Sequence, residues 1–279
     1  MNLFYDEKRI LQKIDAEKKK FSDEDKYCLI NDAIMFDSIN VLDALLKNNC
    51  FVYKIENEPS VYELCILRQN MDAFRKLNDY NILKNFPEDG SLVIAVMLNL
   101  PISVVEEVCN AVADINVIGC REGTAVDWAV QNKNNDLLRF LIEKGADLSI
   151  KTDFQNNLCL ATADGNFEAV KTLVANGMDV NGSLDDVPLM LALHYEFYYI
   201  ADYLLSCGAD VDKQDDEGRT TLHHCVITDE KHKINYLLKH GADINIKDNR
   251  GITPQFLLED VDLRNQLYYE LYEVLDNEG

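Results

Sequence analysis

The feature that most constrains this chain is a self-similarity at a spacing of 31 to 33 residues. In Thr220–Pro254 a short apolar segment opens at Thr-Thr-Leu-His and a second one ends in Leu-Leu; the chain then stops on Gly241-Ala-Asp and starts again at Gly251-Ile-Thr-Pro. Anchored on the first small residue after the His position, the pattern recurs at Ala33, Cys65, Val96, Ala129, Ala161, Ala192, Cys225 and Leu258, with steps of 32, 31, 33, 32, 31, 33 and 33. A fixed step of that length describes one supersecondary unit that cannot bury its apolar face alone, so neighbouring units must stack. The 279 residues, which by length suggest about two domains, therefore read as one continuous array over 1–279.

The endings sharpen the pattern. Leu141-Ile-Glu-Lys-Gly-Ala-Asp147, Leu173-Val-Ala-Asn-Gly-Met-Asp179, Leu204-Leu-Ser-Cys-Gly-Ala-Asp210 and Leu237-Leu-Lys-His-Gly-Ala-Asp243 each place a glycine where a helix can end in the left-handed conformation. The first three units are degenerate. Asn49 takes the glycine position of the first, hydrophobic spacing with Leu77 alone marks the second, and the third, Ser91 to Asn116, closes on Ala113-Asp-Ile-Asn. Residues 1–21 carry an amphipathic pattern (Leu3, Phe4, Ile10, Leu11, Ile14, Phe21) ending in Lys18, Lys19 and Lys20, and residues 261–279 carry a stripe of Leu263, Leu267, Leu271, Val274 and Leu275. Both are expected to be capping helices around the repeats at 22–260, because terminal units need a polar outer face.

The quoted segments resemble the ankyrin repeat, whose Thr-Pro-Leu-His opening and Leu-Leu-x-x-Gly-Ala-Asp ending are matched by Thr220, Leu222, His223, Leu237, Leu238, Gly241, Ala242 and Asp243. The resemblance implies an all-α solenoid of about eight helix-turn-helix units with projecting hairpin loops. It also implies a non-catalytic module that binds a partner protein through a concave groove made by the first helices and the loops. By register the exposed pairs at the ends of the first helices are Met35-Phe36, Leu67-Arg68, Leu98-Asn99, Gln131-Asn132, Ala163-Asp164, His194-Tyr195 and Ile227-Thr228. Met35, Phe36, Leu67 and Leu98 would line up large apolar groups over three units, and a contiguous exposed apolar patch marks an interaction site; the opposing reading buries them against the cap helix.

A second candidate is the aromatic run His194, Tyr195, Phe197, Tyr198 and Tyr199, of which His194 and Tyr195 are expected at the surface. Arg121, Asp153, Asp186, Glu217, Arg219 and Arg250 fall in the loops and alternate in sign, as rim charges that set specificity would. Asn116, Asn181 and Asn245 end Asp-Ile/Val-Asn segments. In ankyrin repeats this asparagine ties the loop together and is a target of cytosolic asparaginyl hydroxylation, whereas Ser149 and Asp212 depart from the pattern.

The net charge of −22 opposes nucleic acid and anionic membranes, so the expected partner is a basic or mixed-charge protein and the chain itself a monomer. The eight cysteines (Cys28, Cys50, Cys65, Cys109, Cys120, Cys159, Cys207, Cys225) form no Cys-x-x-Cys pair and read as free thiols of a reducing cytosol. No metal or cofactor motif is present, and none is expected. The cluster closest to a catalytic one is His223, His224 and Cys225, but His223 holds the repeat's own His position and Cys225 a packing position, as Cys65 does. His232 and His240 read as isolated, and Trp128 as core. The degenerate units and the abundance of Asn, Asp, Lys and Ile look like ankyrin proteins that intracellular bacteria deliver into host cells as effectors. An enzyme with a site grafted on the repeats, or a scaffold or inhibitor subunit, are the alternatives.

Overall fold

A side chain that can accept a hydrogen bond from exposed backbone N–H groups decides where most of the first helices begin. The computed structural model describes residues 7–17, 20–119, 122–152, 156–183 and 187–268. In it Ser22, Ser60 and Thr124 each accept from the N–H three residues on, while Asp25, Glu63 and Asp127 return a bond to the cap's own N–H. These reciprocal boxes satisfy donors that a helix N-terminus otherwise leaves unpaired. The regular secondary structure of the described residues is helical, apart from one isolated antiparallel bridge between Gln214 and Thr220.

The chain divides into two compact units, Met1–Phe154 and Gln155–Gly279. The first holds α1 (Glu7–Glu17), α2 (Asp23–Met35), α3 (Ile39–Lys47), α4 (Val61–Leu67), α5 (Met71–Asn78), α6 (Ser91–Met97), α7 (Ile102–Ala111), α8 (Ala125–Gln131) and α9 (Asn135–Glu143). The first helices α2, α4, α6 and α8 stack on one another, and each carries its second helix alongside. Cys65 and Trp128 are buried in this stack as expected. The capping segment is helical over Glu7–Glu17 and packs on α3, with Ile14 fully buried; Leu3, Phe4, Lys18 and Lys19 lie outside the described residues.

The turn between the two helices of a pair fixes the register. It contains one residue with positive φ: Asp37 (53°), Gln69 (54°), Asn99 (51°) and Lys133 (55°). Counting back four residues from each gives Ala33, Cys65, Ala95 and Ala129, so the third anchor is Ala95 rather than Val96. Both side chains are fully buried and small enough to pack, which is why the apolar pattern did not separate them.

Side-chain amides then tie each pair to the one before. The Asn70 amide donates to the Ile34 carbonyl (2.9 Å) and to Asp37 Oδ1 (3.2 Å), the Asn132 amide to the Val96 carbonyl (2.8 Å), and the Asn134 amide to Asn99 Oδ1 (2.7 Å). On the second helices ion pairs do the same: Lys76 Nζ with Asp43 at 2.6 Å, Arg75 with both oxygens of Glu107 at 2.7 and 2.9 Å, and Lys144 with Glu106 at 3.7 Å.

The second unit repeats the scheme with α10 (Asn157–Ala163), α11 (Phe167–Ala175), α12 (Pro188–His194), α13 (Tyr198–Ser206), α14 (Thr221–Ile227), α15 (Lys231–Lys239) and α16 (Pro254–Glu259). The chain is helical again over 261–268, where Leu267 is fully buried; Leu271, Val274 and Leu275 lie outside the described residues. Gly177, Gly208 and Gly241 end the second helices at φ 92–93°, and an added Cβ would meet nothing within 4 Å at any of them. Only the backbone conformation asks for glycine there, and Asn49 (55°) and Asn81 (52°) adopt it in the degenerate units. Gly165 is different, because a Cβ would lie 2.9 Å from the Phe197 ring.

Candidate partner-binding surface

Met35 and Leu67 are the last residues of α2 and α4, and they stand 44% and 41% exposed. Leu98, 40% exposed, is the C-cap of α6 and so matches Arg68, the C-cap of α4; the true counterpart of Met35 and Leu67 is the half-buried Met97. Stacking of α2, α4 and α6 brings these apolar groups onto successive helix ends. A groove of ≈ 470 Å³ opens beside Met35 and Arg68, lined by Ile34, Met35, Asp37, Arg68, Gln69, Asn70, Met71 and Asp72. Phe36 is half-buried, so its ring is only partly available to a partner. Asp32, one turn before Met35, is half-buried, and burial raises its pKa above the ordinary aspartate value.

Several expected contact residues are committed inside the fold. Asn99 is the left-handed turn residue and its oxygen accepts from Asn134, while Asn132 caps α6 through its amide. Ile227 is 3% exposed and Arg219 is 3% exposed, against expectation. Arg219 lies against the Glu217 carboxylate, so it neutralises a loop rather than presenting a rim charge. Gln131 and Arg250 are exposed; Arg121, Asp153 and Asp186 lie outside the described residues.

The aromatic run is broader than expected. His194 and Tyr195 are exposed, with ring centroids 4.8 Å apart, and Tyr195 stacks on Phe197 at 6.1 Å. Tyr199, 49% exposed, also reaches the surface, and its hydroxyl donates to the Gly165 carbonyl at 3.2 Å. Phe167 meets both Tyr199 and Tyr203 edge-on at 5.4 Å. Nor is His240 isolated, since its ring lies 4.2 Å from Tyr236, whose hydroxyl donates to Asp202 at 2.6 Å. The residue type at 199 carried the signal; its placement at the start of α13 decided the exposure.

The His223–Cys225 pair does not form a nucleophile. Cys225 is buried, and burial pushes its thiol up to about 12, which leaves no thiolate near neutral pH. His223 is fully buried, with Nδ1 accepting the Thr220 N–H at 3.0 Å and Nε2 3.2 Å from the Ile252 carbonyl. His224 Nε2 sits 2.7 Å from Asp215 Oδ2. Burial alone would raise the Asp215 pKa, but the bonds from His224 and the Arg219 N–H hold it below the usual carboxylate range. Among the described residues no group of three His, Cys, Asp or Glu side chains is placed to hold a metal, and no helix is long and apolar enough to cross a membrane.

The hairpins form a second ladder. The aspartates at 114, 147, 179, 210 and 243 each accept the N–H two residues on, at 2.8–2.9 Å. The side-chain oxygens of Asn116 and Asn181 accept the N–H groups of Asp147 and Asp210, at 2.8 and 2.7 Å. The Asn245 amide folds back on Asp243 at 2.9 Å. Asp212 does the asparagine's work with a carboxylate, accepting the Asp243 N–H at 3.0 Å. Burial raises its pKa, and the Asp210 and Asp243 charges add to the rise. An acid bound to a proton more tightly when folded costs stability in its charged form, so Asp212→Asn is expected to raise stability by about 0.5 kcal/mol at neutral pH, read from the urea midpoint. An unchanged midpoint would show that the three carboxylates do not repel.

A family model for ankyrin repeats, three copies in length, matches residues 127–215 and 158–248. Residues 127–248 carry ankyrin repeats. The ankyrin repeat domain of Bcl-3, described as a unique member of the IkappaB protein family, superimposes with a TM-score of 0.61 over 77% of this chain and 99% of its own, at 23% identity, a likeness of fold alone. Relatives by sequence include the palmitoyltransferase AKR1 of Lachancea kluyveri (32% identical, 34% of this chain, 14% of that protein). They also include the transient receptor potential cation channel subfamily A member 1 homolog of Caenorhabditis elegans (27%, 39% of this chain, 9% of that protein) and the putative ankyrin repeat protein FPV031 of fowlpox virus (31%, 35% of this chain, 31% of that protein). The chain spans less than a third of the length of these three proteins. The ankyrin repeat fold generally mediates protein–protein interaction and is typically non-catalytic.

Proposed function

We propose that this chain binds a partner protein through the ends of its first helices and the adjoining loops, with 1–279 forming a single array capped at both ends. The observation that supports this reading is the apolar end of the first helices, with exposed Met35 and Leu67 on α2 and α4 followed by half-buried Met97 and exposed Leu98 at α6, where the later first helices α8, α10 and α12 end in Gln131, Ala163 and His194. A helix end facing only water gains nothing from three large apolar groups, whereas desolvated apolar anchors dominate protein interfaces. Tyr195 and Tyr199 supply a second anchor pair. Action as an effector in a host cytosol belongs to the same proposal and rests on composition.

The test is an affinity capture from eukaryotic cell lysate with wild type and with Met35→Asp/Leu67→Asp, read by mass spectrometry. The chosen positions are more exposed than Phe36, so the melting temperature should stay within a few degrees. A protein recovered by wild type and lost from the variant is the expected result. Equal recovery by both would move the site to Tyr195 and Tyr199.

A further inference from the structure

The row of Met35 and Leu67 is flanked by two charges that the fold leaves uncompensated. Asp32 lies three residues before Met35 on α2, hence on the same helical face. It is half-buried, and its side chain has no hydrogen-bond or ion-pair partner among the described residues. In the equivalent position the following first helices place Leu64, Ile94 and Trp128, all buried. Arg68, on the neighbouring helix α4, is exposed and is likewise without an ion pair. Arg68 lines the groove and Asp32 lies one turn of α2 before it, while the remaining charges of the groove are taken: Asp37 accepts the Asn70 amide at 3.2 Å, and Asp72 pairs with Arg75 at 3.0 Å. A carboxylate partly withdrawn from water with nothing to compensate it is a place where an incoming cation gains more than at an ordinary surface.

We propose that this face docks an amphipathic helical segment of a partner protein, which sets a basic side chain against Asp32 and an acidic one against Arg68, with apolar residues on Met35 and Leu67 between them. The inference rests on the partner-binding reading above and adds the chemistry of the partner. Adjacent packed helices such as α2 and α4 lie about 8–10 Å apart, and Arg68 stands four register positions, about 6 Å, further along than Asp32, so the two charges are about 11 Å apart; seven residues of a helix advance about 10 Å, which puts the two charges of the partner two turns apart. Charge complementarity of this pattern favours one register of docking and opposes a uniformly basic or acidic segment.

The experiment uses the full chain and three labelled 15-residue helical peptides that share one leucine face. One carries Lys and Glu seven residues apart beside that face, one carries Lys at both places, and one carries Glu at both. Fluorescence anisotropy is expected to show the Lys/Glu peptide binding about tenfold tighter than either other, although the net charge of −22 attracts the all-Lys peptide more strongly at long range. Asp32→Asn should weaken the Lys/Glu peptide about fivefold, and Glu143→Gln, an exposed acid on α9, should leave it unchanged. Tightest binding by the all-Lys peptide, or an unchanged affinity in Asp32→Asn, overturns the proposal. If either result comes while the lysate partner is still lost from Met35→Asp/Leu67→Asp, the binding surface stands and only the charge pattern fails.

Discussion

Asp89→Ala is expected to destabilise the first unit by about 3 kcal/mol, more than any exposed substitution in it. The carboxylate is 3% exposed and gathers donors from two hairpins: the Tyr53 hydroxyl at 2.7 Å, the Ser60 hydroxyl, and the Ser91 N–H at 2.9 Å. Ser60 also caps α4, and Glu63, the other half of that box, accepts the Gly90 N–H at 3.1 Å. Tyr53 lies flat on Phe86 at 3.6 Å, and burial followed by the Asp89 charge holds its phenol strongly in the protonated, donating form. Alanine would leave the buried Ser60 hydroxyl and Ser91 N–H without an acceptor, at about 1–3 kcal/mol for each such group, while the half-buried Tyr53 could turn to water. Asp89→Asn keeps an acceptor and should lose less than half as much. Urea unfolding of both variants checks this, and a loss under about 1 kcal/mol for alanine would show that water replaces the carboxylate.

The second large effect is on acid stability and runs through His223. Because Nδ1 accepts the Thr220 N–H, the neutral ring must carry its proton on Nε2, facing the Ile252 carbonyl. A second proton on Nδ1 would displace the bond from the Thr220 N–H and leave only the Thr220 hydroxyl, 2.9 Å away, to accept it, which strips that N–H of its acceptor at the start of α14. Burial lowers the pKa of this histidine below its ordinary 6.5. A histidine depressed in the folded state contributes stability that is present above the unfolded pKa and is lost as the pH falls through the folded one. The second unit should therefore lose stability below about pH 6.5, with a slope approaching 1.4 kcal/mol per pH unit. His223→Gln should cost about 2–3 kcal/mol near pH 7.5 through the lost cap and cavity, and should flatten that slope. Parallel pH profiles for the two proteins would place the acid sensitivity elsewhere.

How far the sequence could be read depended on whether a residue's role is local. The Gly-Ala-Asp endings are decided within a few residues, and the structure has their glycines at positive φ where the pattern puts them. The third anchor slipped by one because Ala95 and Val96 satisfy the same burial, although Asn99, a residue suited to positive φ, marked the turn. Exposure of Met35 and Leu67 followed from the period, while Leu98 is exposed one position beyond the counterpart that the corrected register gives, Met97. Burial of Arg219 did not, since it depends on Glu217 meeting its guanidinium in the folded hairpin. The Asp89 site was invisible, as its two side-chain partners lie 36 and 29 residues away and neither is unusual in a loop.

The ties within the first unit each join one helix pair to the next and reach no further: Asn70 to Ile34, Asn132 to Val96, Asn116 to Asp147. Such a chain of nearest-neighbour links behaves like a zipper, which opens from a free end because the terminal pair is held on one side only. The helix pair α2 and α3 has α1 as its cover, where the interior pairs have whole pairs on both sides. A partner lying across α2 and α4 would span the link beside that end and slow its fraying. Recognition there would be felt as slower exchange of backbone amides in helices the partner never touches.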